Sequence, residues 1–165
     1  MKFYIGTKLE NHPEHNRLRD ALAVYGHTCT YDLTTHGPVH SSGMERIREV
    51  AQLELQGVLD ADVVFILWPG GRGTHVELGA ALAAKKDVIL ITDQDGHYIP
   101  CPDICAFYAH PLVRITRTIE DATRYAQYLL GGILDRHHAG QLPEDPAIFE
   151  PVVGETEETN NNDIT

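Results

Sequence analysis

Cysteine is scarce in this sequence, with only Cys29, Cys101 and Cys105 among 165 residues. An odd, sparse set of that kind makes no disulfide framework, and a reducing cytoplasm is the expected compartment. Long apolar runs are missing too, and none approaches the ~20 residues that a membrane span requires. Residues Met1 to Gly6 enter a strand-like pattern directly, without the charged and apolar blocks of a signal peptide. Basic residues are few: 13 Lys and Arg stand against 24 Asp and Glu, for a net charge of −11. The basic footprint that favours nucleic-acid polymers or anionic membranes is therefore absent. These absences point to a small-molecule partner.

What is present describes one folded unit. Hydrophobic residues make up 42% of the chain and charged residues 22%, which excludes a wholly disordered chain. The length fits a single domain. The acidity is concentrated at the end: Glu144 to Thr165 holds seven acids and no Lys or Arg. Without them the remainder carries 17 acids against 13 bases, or −4. We expect a folded domain over residues 1–136 and an acidic tail over 137–165. From Glu155 the tail has the composition of disordered chain.

Short apolar runs alternate with amphipathic stretches, the pattern of a parallel α/β sheet. Expected strands are Phe3–Ile5, His27–Leu33, Val63–Trp68, Val88–Ile91 and Leu112–Thr116. Expected helices run from His12 to before Gly26, then over about 44–59, 74–85 and 119–134. Pro13 suits a first helical turn, and Leu18, Ala21, Leu22 and Tyr25 recur at helical spacing. Five strands with intervening helices fit an open, doubly wound five-stranded parallel sheet with helices on both faces. Ligands in such sheets bind beyond the carboxyl ends of the strands. That rule selects Gly6 to Lys8, Thr34 to Gly43, Pro69 to Glu77 and Asp93 to Pro111.

Two carboxylates stand out. On the helix over 44–59, Glu54 falls in the middle of an arc formed by Ile47, Val50, Ala51, Gly57 and Val58. A charge there is costly unless it faces a cleft or finds a partner such as Arg46. Burial would raise its pKa and make it a proton donor. The second is Glu77, which follows the run Pro69-Gly70-Gly71-Arg72-Gly73-Thr74. Glycines between a strand and a helix free backbone N–H groups for an anion or a sugar oxygen. The run lacks the Gly-Lys-Ser/Thr of a Walker A loop and the third glycine of a dinucleotide fingerprint. A helix start favours an ionised Glu77, although Thr74 and Glu77 also match a simple capping box. An ionised and a protonated acid with separated pKa values form the pair that cleaves glycosidic bonds.

Other features have ordinary readings beside functional ones. Phe107 and Tyr108 could stack on a base or close the sheet edge, and Trp68 has the same two readings. His36 and His40 could line a pocket or lie exposed in their loop. Asp62 suits a strand start, where its carboxylate can satisfy backbone donors. His97, Cys101, Cys105 and His110 have poor zinc-ligand spacing, so no metal and no other cofactor is expected.

Together, Phe3-Tyr4-Ile5-Gly6, Glu54, Ala61-Asp62-Val63-Val64 and Gly73-Thr74-His75-Val76-Glu77-Leu78-Gly79 resemble the nucleoside 2-deoxyribosyltransferase superfamily. This superfamily includes related nucleotide N-glycoside hydrolases, and the resemblance covers about residues 1–130. It implies a flavodoxin-like fold, Glu77 as the nucleophile on C1′ and Tyr4 as the residue holding it. It also implies Glu54 as the acid near the base, in place of the usual Asp. Another acid found in the transferases falls here at Gly71 and is lacking. Gly6, Gly71, Arg72, Gly73, Thr74, Phe107 and Tyr108 become candidate substrate-binding residues. The partners implied are a nucleoside or nucleotide and a free nucleobase, and a homo-oligomer is implied as well. Sugar transfer between bases is the leading activity. Hydrolysis of nucleosides or nucleoside monophosphates is the first alternative, and a non-catalytic nucleotide-binding module the second.

Overall fold

A computed structural model describes residues 1–37, 39, 41–92 and 105–136, with backbone alone from 130. Pro38, His40, His97, Cys101, Pro102 and the acidic tail lie outside the described residues. In chain order the elements are β1 (Lys2–Gly6), α1 (His12–Val24), β2 (Thr28–Cys29), α2 (Gly43–Asp60), β3 (Val63–Leu67), α3 (Arg72–Ala83), β4 (Asp87–Ile91), β5 (Val113–Thr116) and α4 (Ile119–Arg136). Short 3-10 turns cover Leu9–Asn11, Leu33–Thr35 and Ala106–Ala109. None of the described helices is long and apolar enough to cross a membrane.

All five strands are parallel, in the order β2-β1-β3-β4-β5. This is the flavodoxin-like order, and the expected fold is the one observed. Strand residues alternate between the two faces. Phe3 and Ile5 therefore pack with Leu18 and Leu22 of α1 and Ala122 of α4. Tyr4 points the other way, into a cluster with Val58 of α2 and Leu78 and Ala81 of α3. β3 is buried along its whole length, as its run of apolar residues requires. The strand order reverses between β1 and β3, and the crevice outside their carboxyl ends is the ligand position for this topology.

Two elements depart from expectation. β2 keeps only Thr28 and Cys29 of the expected His27–Leu33. Thr30 Oγ1 donates to Gly57 O at 2.7 Å, and its N–H donates to Phe3 O at 2.8 Å. Asp32 then accepts from the Thr34 N–H at 2.9 Å and pairs with Arg19, which turns the chain away from the sheet. At the other departure, α3 begins two residues early, at Arg72. Thr74 Oγ1 accepts from the Gly71 N–H at 3.0 Å, so Thr74 occupies the third helical position rather than the cap. The Thr74–Glu77 capping box does not form, and Glu77 falls in the second turn of α3. Asp62, by contrast, serves a backbone donor as expected, accepting from the Lys2 N–H at 2.7 Å.

Candidate active site

Three elements meet at Glu77. β1 brings Tyr4 and Gly6, α3 brings Glu77 itself, and α2 closes over Tyr4. The Tyr4 hydroxyl donates to Glu77 Oε1 at 2.7 Å. The other carboxyl oxygen, Oε2, is buried without a hydrogen-bond partner. It lies against the Cα of Gly6, where any Cβ would overlap it. Gly57 does the same for the tyrosine, since a Cβ there would sit 2.7 Å from Tyr31 Cβ and 3.0 Å from the Tyr4 ring. The carboxyl is thus oriented by a phenol on one side and packed, without a hydrogen-bond partner, against a bare Cα on the other.

Glu77 is only 7% exposed. Burial pushes its pKa up to about 8, the hydrogen bond from Tyr4 pulls it down, and the charge of Glu54 adds to the rise. Tyr4 is itself held well above the ordinary tyrosine range by burial and by the Glu77 charge, so it remains a donor. The expectation of a readily ionised Glu77 is therefore corrected. At its actual place in α3 the helix start counts for less than desolvation.

Glu54 lies on the cleft lining, one of the positions expected for it, with its side chain 28% exposed. Val50, Gly57 and Val58 are buried on α2, while Leu53, Leu55 and Leu59 are exposed. Its partner is His36 rather than Arg46, with Nε2 3.2 Å from Glu54 Oε1. His36 is 7% exposed and stacks on Tyr31. Its Nδ1 lies 2.7 Å from the Gly37 carbonyl, an acceptor, so Nδ1 carries a hydrogen. The Nε2 contact places this ring against the Glu54 carboxyl beside the cleft. The default reading of His36 as an exposed loop residue is corrected accordingly.

The cleft above Glu77 has a volume of about 640 Å³. Glu54, Gly71, Arg72, Gly73, Thr74 and Glu77 line it, together with Thr7, Lys8, Leu9, Glu10 and His12. Of the basic side chains there, Lys8 lies in a segment that the strand-end rule selects and Arg72 in the glycine loop, while His12 has no signal in the sequence beyond opening a helix. The Gly71 N–H is taken by Thr74, so the expected supply of free loop donors is reduced by one. Phe107 and Tyr108 do not line this cleft. Tyr108 is buried, and its hydroxyl bonds His75 Nε2 at 2.9 Å. His75 Nδ1 in turn lies 2.8 Å from the Gly71 carbonyl, and both rings pack against Trp68. These aromatics brace the glycine loop from behind. Among the described residues no group of three or more His, Cys, Asp or Glu is placed to hold a metal ion.

A model of the family described as nucleoside 2-deoxyribosyltransferase matches residues 4–161. The chain belongs to the nucleoside 2-deoxyribosyltransferase family. Its fold is similar to that of the CMP N-glycosidase BcmB of Clostridium botulinum, with a TM-score of 0.53 and 17% identity. That likeness covers 78% of this chain and 99% of the other. No curated protein sequence matches the chain. Membership of the family carries glycosyl transfer or N-glycoside hydrolysis on small nucleosides or nucleotides.

Proposed function

We propose that this chain cleaves the N-glycosidic bond of a nucleoside through Glu77 and transfers the sugar to a second base. The observation that supports it most is the Glu77 carboxyl, with one oxygen fixed by Tyr4 and the other unpartnered at the cleft floor. In the first half-reaction the Glu77 carboxylate attacks C1′ and the C1′–N bond breaks, its electron pair leaving on the base. The His36–Glu54 pair gives the departing base a proton. In the second half-reaction a new base attacks C1′, the ester to Glu77 breaks, and the pair takes a proton back. Attack needs the ionised carboxylate, so the competent fraction grows as pH approaches 8.

Hydrolysis of a nucleoside monophosphate is the second reading. Lys8, His12 and Arg72 in the cleft lining favour it, because three nitrogen donors suit a 5′-phosphate. In that reaction water replaces the incoming base. Incubation of deoxyinosine, and separately of deoxycytidine monophosphate, with and without a free second base distinguishes the readings. A new nucleoside formed only with added base means transfer, and equal release of free base in both means hydrolysis. Binding without turnover would overturn both in favour of a nucleotide-binding module. We propose in addition that the chain self-associates, as its family suggests; sedimentation at a mass above the 18.4 kDa of one chain tests this.

A further inference from the structure

Between β3 and α3 the chain runs through Trp68 and the glycine loop, and two side chains of α3 hold the Gly71 backbone there. Thr74 Oγ1 accepts from the Gly71 N–H at 3.0 Å. On the carbonyl side the backbone N–H nitrogen of His75 is 3.3 Å away, whereas His75 Nδ1 is 2.8 Å away. The imidazole makes the closer contact, and a carbonyl partner requires the hydrogen on Nδ1. Nε2 then carries the lone pair, and the Tyr108 hydroxyl donates to it at 2.9 Å. Burial pushes the Tyr108 pKa up to about 12, so the hydroxyl keeps its proton. The two rings stack with centroids 5.9 Å apart, and the Trp68 ring meets both edge-on. The hydroxyl and these ring contacts fix which nitrogen faces Gly71.

The Gly71 carbonyl and the Arg72 N–H belong to one planar trans peptide and point in opposite directions. Fixing the carbonyl on His75 therefore turns the Arg72 N–H outward from the first turn of α3, where N–H groups have no partner within the helix. Gly71, Arg72 and Gly73 all line the cleft. The stem of Lys8 lies over Gly71, with Lys8 Cγ 3.5 Å from where a Cβ would stand. A tilt of this one peptide would move a backbone donor and the packing under a cationic side chain together. We propose that His75, held by Tyr108, is a positioning residue that sets the Gly71–Arg72 peptide for substrate binding. It acts through the loop rather than on the reacting atoms, and Glu77 keeps its own support from Tyr4. The inference rests on the glycosidic reading for what is bound, but not for how the loop is held.

The test uses His75→Ala, His75→Asn and Tyr108→Phe in the full chain, with deoxyinosine and deoxycytidine monophosphate as substrates. His75 is exposed, so its replacement leaves the core packing in place. His75→Ala should raise KM ~3- to 10-fold, the worth of one net hydrogen bond, with a smaller change in kcat. In His75→Asn the amide nitrogen stands where Nδ1 was, and most of that loss should be restored. Tyr108→Phe should raise KM by a smaller factor, and adding it to His75→Ala should cost nothing further, since the two act as a unit. A KM unmoved in His75→Ala, a loss in kcat alone, no rescue by Asn, or additive effects would overturn the proposal. Trypsin cleavage after Arg72 in the ligand-free chain reads the loop without any turnover. His75→Ala should speed that cut ~3-fold or more relative to the cut after Lys85, and His75→Asn should not. An unchanged ratio overturns the positioning role whatever the chain cleaves. A raised ratio in a chain that cleaves neither substrate leaves the positioning role standing and removes only the glycosidic reading.

Discussion

Glu77 holds its carboxyl between a phenol and a bare Cα, and that placement has a cost in stability. In the folded chain its pKa is about 8, against an ordinary value of 4.5. The folded state therefore holds a proton that the unfolded state releases between those values. Its contribution to stability is fully present below about pH 4.5 and is lost as pH rises through 8. Glu77→Gln carries no charge at any pH. Relative to the native chain its Tm should rise between about pH 5 and pH 8.5, by a few degrees at the upper end, while turnover is lost. A Tm difference independent of pH would show that Glu77 is ionised at no cost. At this scale Glu77 is legible from the glycine loop before it and Gly6 from its place at a strand end, while Tyr4 is singled out only by the family resemblance. The burial of Glu77 and the partner of Glu54 are not legible, because they depend on α2 closing over Tyr4 and on His36 meeting Glu54, contacts between segments far apart in the chain. The strand-end rule places His36 in a candidate binding segment, but nothing local names Glu54 as its partner.

Two glycines in the helices separate packing from propensity. Gly57 of α2 faces Tyr4 and Tyr31 with no room for a methyl, while Gly79 of α3 has open space around its Cα. Gly57→Ala must push α2 outward or tilt the Tyr4 ring away from Glu77. We expect a loss of ~1–3 kcal/mol of stability and a fall in kcat beyond what the stability change explains. Gly79→Ala should stabilise by about 0.4–1 kcal/mol and leave kcat alone. Urea unfolding and initial rates on both variants check this, and equal behaviour of the two would contradict the packing at Tyr4. Element existence follows from the periodicities, since every expected strand and helix forms. The bounds that fail do so for side-chain reasons: Thr30 and Asp32 cut β2 short, and Thr74 reaching back to Gly71 starts α3 early.

For the molecule as a whole, the sheet order puts the cleft between the ends of β1 and β3. The segments after those strands supply Thr7 to Leu9 and Gly71 to Thr74. The alternation of strands and helices announces this topology, and with it two of the four segments expected to bind. A third, Thr34 to Gly43, brings His36 against Glu54 at the cleft lining. The fourth, from Asp93 to Pro111, enters the described residues only from Cys105, and there it packs behind the glycine loop rather than in the cleft.

The central claim is that Glu77 becomes covalently bonded to the sugar. The direct measurement is intact-protein mass spectrometry after rapid acid quench of the chain with a deoxynucleoside, followed by peptide mapping. A mass gain of one deoxyribosyl group on the peptide containing Glu77, absent from Glu77→Gln, is the result this account predicts. Full release of base with no adduct, or an adduct on another residue, would contradict it.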